Sequence, residues 1–519
     1  MRRKSLYPWW MVVLVSVVGL GATSRNPTLV EAVKSGDKAD VQVLLEGQLD
    51  VNAPEKNGTT ALHWAAHGDN PEIVQLLIQA GANADVSNDY GATPLSVACV
   101  NGNAAIVELL LKAGGDSEAR SSGETALMTA ARTGSVDVVK VLLAHGADIS
   151  ATEAKSGQTI LMAAVGESHP VVAQVLLEHG ADVHVHSTVG FTALAFAVRA
   201  GDLESVKLLL AAGAGANERL TVAQRSKLDG DADRMDTPDG TTVLVLAVAN
   251  AHYELAKYLL DQGADPNADS GGQTALHVAI QTMNWEGLGS PDAELTGTGR
   301  LDAADFVDVL LAAGANVNAR QASRNEGGNG NSLVRGYTVE ESGTVGVTPF
   351  WIAARGGDAR TMRLLVAHGA DPNLGTQQRT TPLMVAAGVG FTDGSTPGSE
   401  QAALEAVKFI LELGVDVNTA QGMGPDCMPR DYSGGGGGAN FNGWVCGWTP
   451  LHGAAARGAD SIVQLLVDHG AKLDVQDKVG RTPLQIATFS SLSATAFIRE
   501  STAQLLRELM TERNLLSQR

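Results

Sequence analysis

Residues 58–83 read GTTALHWAAHGDNPEIVQLLIQAGAN, and this stretch decides the fold. Thr60 is placed to cap a helix, because its hydroxyl can accept an N–H that the first turn leaves unpaired. Leu62, Ala65 and Ala66 then make a narrow apolar face whose small residues admit a close neighbour. Ile73, Val74, Leu76 and Leu77 make a second stripe with the three-to-four period of a helix. Gly81 closes that helix at a position that favours a left-handed backbone. The stretch therefore predicts two short helices, each with one apolar face. Such a pair cannot bury both faces alone and needs copies of itself on either side.

Those copies are present. The first half returns as GATPLSVAC from Gly91, GETALMTAA from Gly123, GQTILMAAV from Gly157 and GFTALAFAV from Gly190. It continues as GTTVLVLAV from Gly240, GQTALHVAI from Gly272, GVTPFWIAA from Gly346, TTPLMVAA from Thr380, GWTPLHGAA from Gly447 and GRTPLQIAT from Gly480. The second half closes at Gly47, Gly81, Gly114, Gly146, Gly180 and Gly213, with successive spacings of 34, 33, 32, 34 and 33. It closes again at Gly263, Gly314, Gly369, Gly414 and Gly470, where the spacings are 50, 51, 55, 45 and 56. Proline at the first helical position (Pro94, Pro349, Pro382, Pro450, Pro483) loses nothing, since that N–H has no partner in the helix.

With both halves in register, the chain resembles the ankyrin-repeat family, whose period lies near 33 residues. The resemblance covers about residues 28–519, with insertions. It implies an all-α solenoid of about twelve helix-turn-helix repeats with β-hairpin fingers. Regular repeats would span 28–217, repeats with insertions 240–479 and a C-terminal capping repeat 480–519. Residues 28–52 read as a degenerate first capping repeat.

Composition agrees. Glycine numbers 59 of 519 residues, aromatics are 4% and hydrophobic residues 44%. That is too apolar for a disordered chain. Three cysteines cannot staple a disulfide scaffold. The net charge of −20 opposes nucleic acid and anionic membrane surfaces and favours encounter with basic partners. At the N-terminus a basic Arg2-Arg3-Lys4, an apolar run from Trp9 to Leu20 and small residues around Thr23 have the layout of a secretory signal. Residues 1–24 are thus expected to be a signal peptide cleaved before Arg25, exporting a 26–519 array to the periplasm or exterior. Residues 9–22 acting as an uncleaved anchor are the alternative, although the run is short for a span.

The insertions are the departure from the family pattern. Glu218–Asp239, Arg320–Val345 and Ala420–Cys446 fall in finger positions, and Met283–Asp302 and Val389–Gln401 fall between the two helices of a repeat. All are rich in Gly, Ser, Asn and Asp, as loops are. In an exported chain Cys427 and Cys446 would pair across one insertion, a closure worth about 3 kcal/mol. Cys99 reads as a small core residue. Asp229, Asp231 and Asp233 begin a calcium-loop pattern, but Arg234 and Gly240 break it, so an acidic solvated loop is the expectation and no metal site is assigned.

His145, His179, His368 and His469 stand at helix ends, and His63, His277 and His452 in the framework slot of T-P-L-H. His184 and His186 lack a third ligand. No nucleophile elbow, phosphate loop or H-E-x-x-H occurs, and the Gly434–Gly438 run lacks a P-loop context. No enzyme activity and no cofactor are expected.

Surface recognition remains. The resemblance places the partner-binding groove at residues flanking the turn glycine and following Ala-Ala: Asn57, His67, Tyr90, Asn101 and Arg132 in the first half. Phe191, Arg199, Arg355, Trp448 and Arg457 follow. The expected function is a monomeric, non-enzymatic protein-binding scaffold whose main contact lies after Gly213, where insertions reshape one edge. The alternatives are a secreted effector, or a calcium or small-ligand binder working through the insertions.

Overall fold

The computed structural model describes residues 28–47, 49–221, 240–285, 299–322, 345–389, 399–422, 447–478, 480–488 and 499–513. Among these, twenty-four α-helices form twelve consecutive pairs. One compact unit holds the described residues up to Gly215 with Leu220 and Thr221. It carries six pairs, from Leu29–Ser35 and Lys38–Leu45 to Ala193–Ala200 and Leu203–Ala211. The other holds Ala216–Arg219 and the described residues from Gly240 onward. It also carries six, from Val243–Ala249 and Tyr253–Asp261 to Pro483–Thr488 and Glu500–Glu512.

The caps behave as their chemistry requires. Thr93, Thr125, Thr159, Thr192, Thr242, Thr348 and Thr381 each accept an N–H from the first turn of the helix they open. Thr60 and Thr449 differ, because their hydroxyls lie 2.9 Å from the Nδ1 of His63 and His452. At the far end of the second helices, Nδ1 of His145, His179, His368 and His469 donates to the carbonyl four residues earlier, at 3.0, 2.8, 3.0 and 2.8 Å. Each of these carbonyls also accepts the same histidine's backbone N–H, so the ring adds a second bond at the helix end.

Packing runs along each stack. Ala61–His67 lies against Pro94–Asn101, and Ala126–Arg132 against Ile160–Gly166. Leu62, Ala65, Ala66, Ile73, Val74 and Leu77 from the deciding stretch are all buried. Cys99 is buried in the same core, and burial pushes its thiol up to about 12. Along the loops after the second helices, asparagines stitch each repeat to the next. Asn52, Asn217, Asn267, Asn318 and Asn418 each donate to the closing-glycine carbonyl of the following repeat. Each also accepts an N–H two residues beyond that glycine.

The turn between the two helices of a repeat needs one left-handed residue. Gly102, Gly134, Gly201, Gly357 and Gly458 supply it, with φ between 72° and 77°. Ala251 occupies the same turn at φ 58° and carries the Cβ penalty of that conformation. Ala251→Gly should therefore stabilise the chain by about 1 kcal/mol, read as a rise in the urea midpoint. A lower midpoint would mean that the turn is not strained.

The expected β-hairpin fingers are reduced to turns with isolated bridges, such as Ser121 with Glu124 and Thr152 with Thr159, and the described residues contain no strand. A regular finger closes with Asn88 N–H donating to Ala92 O and Gly91 N–H to Asn88 O. The base of the 320–345 insertion repeats this geometry: Gln321 N–H donates to Val347 O at 2.9 Å and Gly346 N–H to Gln321 O at 2.8 Å. Gln421 N–H donates likewise to Trp448 O. Excising 323–344 and joining Ala322 to Val345 leaves the two-residue tip of a regular finger. The shortened chain should fold and gain up to about 2 kcal/mol from the smaller loop, as polymer closure entropy requires. Loss of the cooperative far-UV transition would show that the insertion is a folding element.

Candidate interaction surface

The groove is lined by the face of the first helices that the fingers border. In the first unit that face is partly open. Trp64, Val97 and Thr129 occupy one register position in successive repeats, and all three are half-buried. Tyr90 on the neighbouring finger is 56% exposed. In the second unit the same position holds Leu246, Val278, Ile352 and Val385, at 3%, 0%, 1% and 3% exposure. Ala163 and Phe196, later in the first unit, are also buried.

Trp64 sits in a fixed cluster. Its indole N–H donates to Glu55 Oε2 at 2.8 Å. Lys34 lies 4.1 Å over the ring and is ion-paired to Glu55 at 2.7 Å. His67 meets the indole edge-on at 5.8 Å. The exposed ion pair alone is worth at most about 1 kcal/mol, so its role is orientation rather than stability. The indole is held before any partner arrives.

The residues expected to line the groove fare unequally. Tyr90 and His67 are exposed, and His67 lies against Trp64. Asn57 folds into its own turn, its side chain accepting Thr59 N–H. Asn101 is a clamp: its amide donates to the carbonyls of Ala66 and His67 in the preceding repeat. Arg132 is paired with Glu124 at 2.6 Å and lies 3.9 Å from Glu167. Arg199 lies over Phe196 and Arg355 over Trp351. Arg457 packs on the turn at Gly388, and burial lowers its guanidinium pKa, with Glu400 opposing the shift.

Phe191 and Trp448 correct the sequence expectation. Both are 1% exposed and belong to the core. They stand between the turn glycine and the capping threonine, a slot that also buries Ala92, Val347 and Thr241. The finger closure turns that side chain inward. Trp448 stacks on His452 and donates its indole N–H to the buried Asp477 at 3.2 Å.

Trp64 was missed in the sequence, although an aromatic in the variable slot of A-L-H-x-A-A is its signal. Trp351 was missed too. It fills the framework-histidine slot, and its indole N–H donates to Thr380 O at 3.0 Å, the inter-repeat bond that His63 makes to Ala92.

Cys427, Cys446, Asp229, Asp231, Asp233 and the signal segment 1–24 lie outside the described residues. Among the described residues no group of three or more His, Cys, Asp and Glu is arranged to hold a metal ion, and no helix is long and apolar enough to cross a membrane.

A helix-turn-helix stack with capped threonines, framework histidines and asparagine stitching defines a repeat protein. The sequence profile described as "Ankyrin repeats (3 copies)" matches residues 29–121, 70–153, 115–187, 150–220, 218–321, 321–421 and 432–507, and the chain belongs to the ankyrin-repeat family. It is 26% identical over 261 residues to human Ankyrin repeat and SOCS box protein 16, covering 48% of this chain and 47% of that one. It is 28% identical over 408 residues to E3 ubiquitin-protein ligase KEG of Arabidopsis thaliana, covering 73% of this chain and 18% of that protein. The chain thus spans about half the length of its SOCS-box relatives, 47% in each of two species. Among solved structures it is similar to the human ASB11 ankyrin repeat domain, at 26% identity and a TM-score of 0.40, covering 46% of this chain and 98% of that one. Ankyrin repeats mediate protein–protein interaction and typically form non-enzymatic modules, so protein partners are the coarse functional conclusion.

Proposed function

We propose that the chain is a non-enzymatic scaffold that captures a protein partner through the groove of its second to fourth repeats. The observation that carries this reading is the exposure contrast at one register position: Trp64, Val97 and Thr129 are half-open, whereas Leu246, Val278, Ile352 and Val385 are covered. On this reading the contact lies in the first unit rather than in the repeats after Gly213, where the insertions pointed. A pre-oriented indole flanked by an ion pair is the kind of anchor that carries binding energy, because little remains to be ordered on association.

Export of the 26–519 array, with residues 1–24 removed before Arg25, accompanies this reading and rests on the N-terminal sequence alone. An N-terminus other than Arg25 on the mature chain would remove it.

Affinity capture with three proteins tests the groove. Wild type and a chain lacking 323–344 and 423–445 should recover the same partner, while a Trp64→Ala/Thr129→Arg variant should lose it. Capture that survives the groove variant and disappears with the insertions would return the contact to the later fingers.

A further inference from the structure

At three repeat junctions the ring that bonds to the next repeat is oriented by a second bond that only a neutral imidazole can make. His63, His277 and His452 occupy one framework slot in the second, eighth and eleventh repeats. In each, the backbone N–H of the capping threonine (Thr60, Thr274, Thr449) donates to Nδ1, at 3.2, 3.3 and 3.1 Å. In each, Nε2 lies against a carbonyl of the following repeat: Ala92 O at 2.9 Å, Val347 O at 3.2 Å and Arg481 O at 3.0 Å. A carbonyl can only accept, so Nε2 carries the hydrogen, and an N–H can only donate, so Nδ1 must be bare. A proton added at Nδ1 would leave the threonine N–H without its acceptor and would force the threonine hydroxyl, 2.9, 2.8 and 2.9 Å from Nδ1, to turn from donor to acceptor. It would break the cap that starts the helix and the ring orientation that ties the next repeat.

The remaining nine repeats fill this slot with groups that do not titrate near neutrality: Glu31, Ser96, Met128, Met162, Ala195, Val245, Trp351, Met384 and Gln485. The three histidines are buried. Desolvation holds all three below the ordinary imidazole value, His277 at about 4. Few charges act on them. Asp269 bears on His277, alongside the Ala319 and Val347 carbonyls; Asp477 and Arg481 bear on His452. At His63 the facing polar groups are Thr60 and the Ala92 carbonyl.

We infer that these histidines are proton-sensitive fasteners, and that mild acid opens the chain at the junctions after the second, eighth and eleventh repeats while the others stay closed. The sign follows from linkage. Below about 6.5 the unfolded histidine takes a proton that the closed junction excludes, so closure is full above that pH and is lost progressively as pH falls toward the folded value. For His277, values of 6.5 and about 4 imply roughly a thirtyfold loss of protection near pH 5. The last junction holds the terminal pair, Pro483–Thr488 with Glu500–Glu512, so acid should release the end of the array there.

Hydrogen exchange of the full chain between about pH 7.5 and about pH 5, corrected for intrinsic rates, tests the inference. The comparison is His63→Met/His277→Met/His452→Met, since methionine already serves this slot at Met128, Met162 and Met384. Wild type should lose protection at Thr60–His63, Thr274–His277 and Thr449–His452 on acidification, and the triple variant should not. Equal loss in both proteins, or loss spread evenly over all junctions, overturns it. If the variant does not fold, exchange of the imidazole C2 hydrogen in wild type decides instead. Rings that titrate at the ordinary value with junction protection unchanged would defeat the inference; rings that stay neutral until the junctions open support it.

Discussion

Trp448→Ala should destabilise the chain by about 3–5 kcal/mol, the range for emptying a large buried aromatic site. The indole is almost fully buried and packs with Met384, Val389 and Ile486, which come from the repeats before and after its own. Its loss therefore opens a cavity across two junctions rather than within one. It also takes a donor from Asp477, a buried carboxylate otherwise held by Arg481 through its backbone N–H and guanidinium at 2.8 Å. Trp448→Phe separates the two effects. It restores most of the volume without the N–H, and should recover more than half of the loss. Urea unfolding followed by far-UV circular dichroism measures both. A midpoint unchanged by Trp448→Ala, together with weaker partner capture, would return this residue to the groove.

Gly134→Val should cost about 3 kcal/mol or more. At φ 75° the left-handed backbone alone penalises a side chain by about 1–2 kcal/mol. A Cβ there would also stand 2.6 Å from His169 Nδ1 and 2.7 Å from its Cε1, too close for the ring to stay where it is. His169 Nε2 donates to the Arg132 carbonyl at 3.0 Å, so displacing the ring breaks a bond between adjacent repeats. The double substitution Gly134→Ala/His169→Ala provides the check. With the ring removed, it should cost less than the sum of the two single changes, because only the backbone penalty and one lost bond remain. Strict additivity would mean that the ring can move aside freely.

Much of this was readable in the residues because the repeat pattern couples each local signal to a stacking requirement. Thr60, Leu62, Ala65, Ala66 and Gly81 each have one workable position in a stacked pair, and the structure places them there. The framework role of His63, His277 and His452 and the burial of Cys99 were legible for the same reason. Phe191 and Trp448 were not. As aromatics beside a turn glycine they look like recognition residues, and only the inward rotation imposed by finger closure makes them core. Trp351 was hidden because indole and imidazole are dissimilar in sequence yet offer the same N–H to the next repeat. The openness of the groove was not legible at all. Trp64, Leu246 and Ile352 are all large and apolar, and their different exposure depends on tertiary surroundings that a single register position does not encode.

The finger bases carry a consequence for how such a chain can change. Gln321 donates to Val347 O and accepts from Gly346 N–H with twenty-four residues between Gln321 and Gly346, just as Asn88 bonds Ala92 and Gly91 with two between Asn88 and Gly91. The stack senses only that its two attachment points are one bonded pair apart. Tip length is thereby uncoupled from the closing bonds at the finger base. These positions are ready-made graft ports: a foreign peptide whose ends can meet at that spacing could be displayed there, with the repeats beneath it unaware of the cargo.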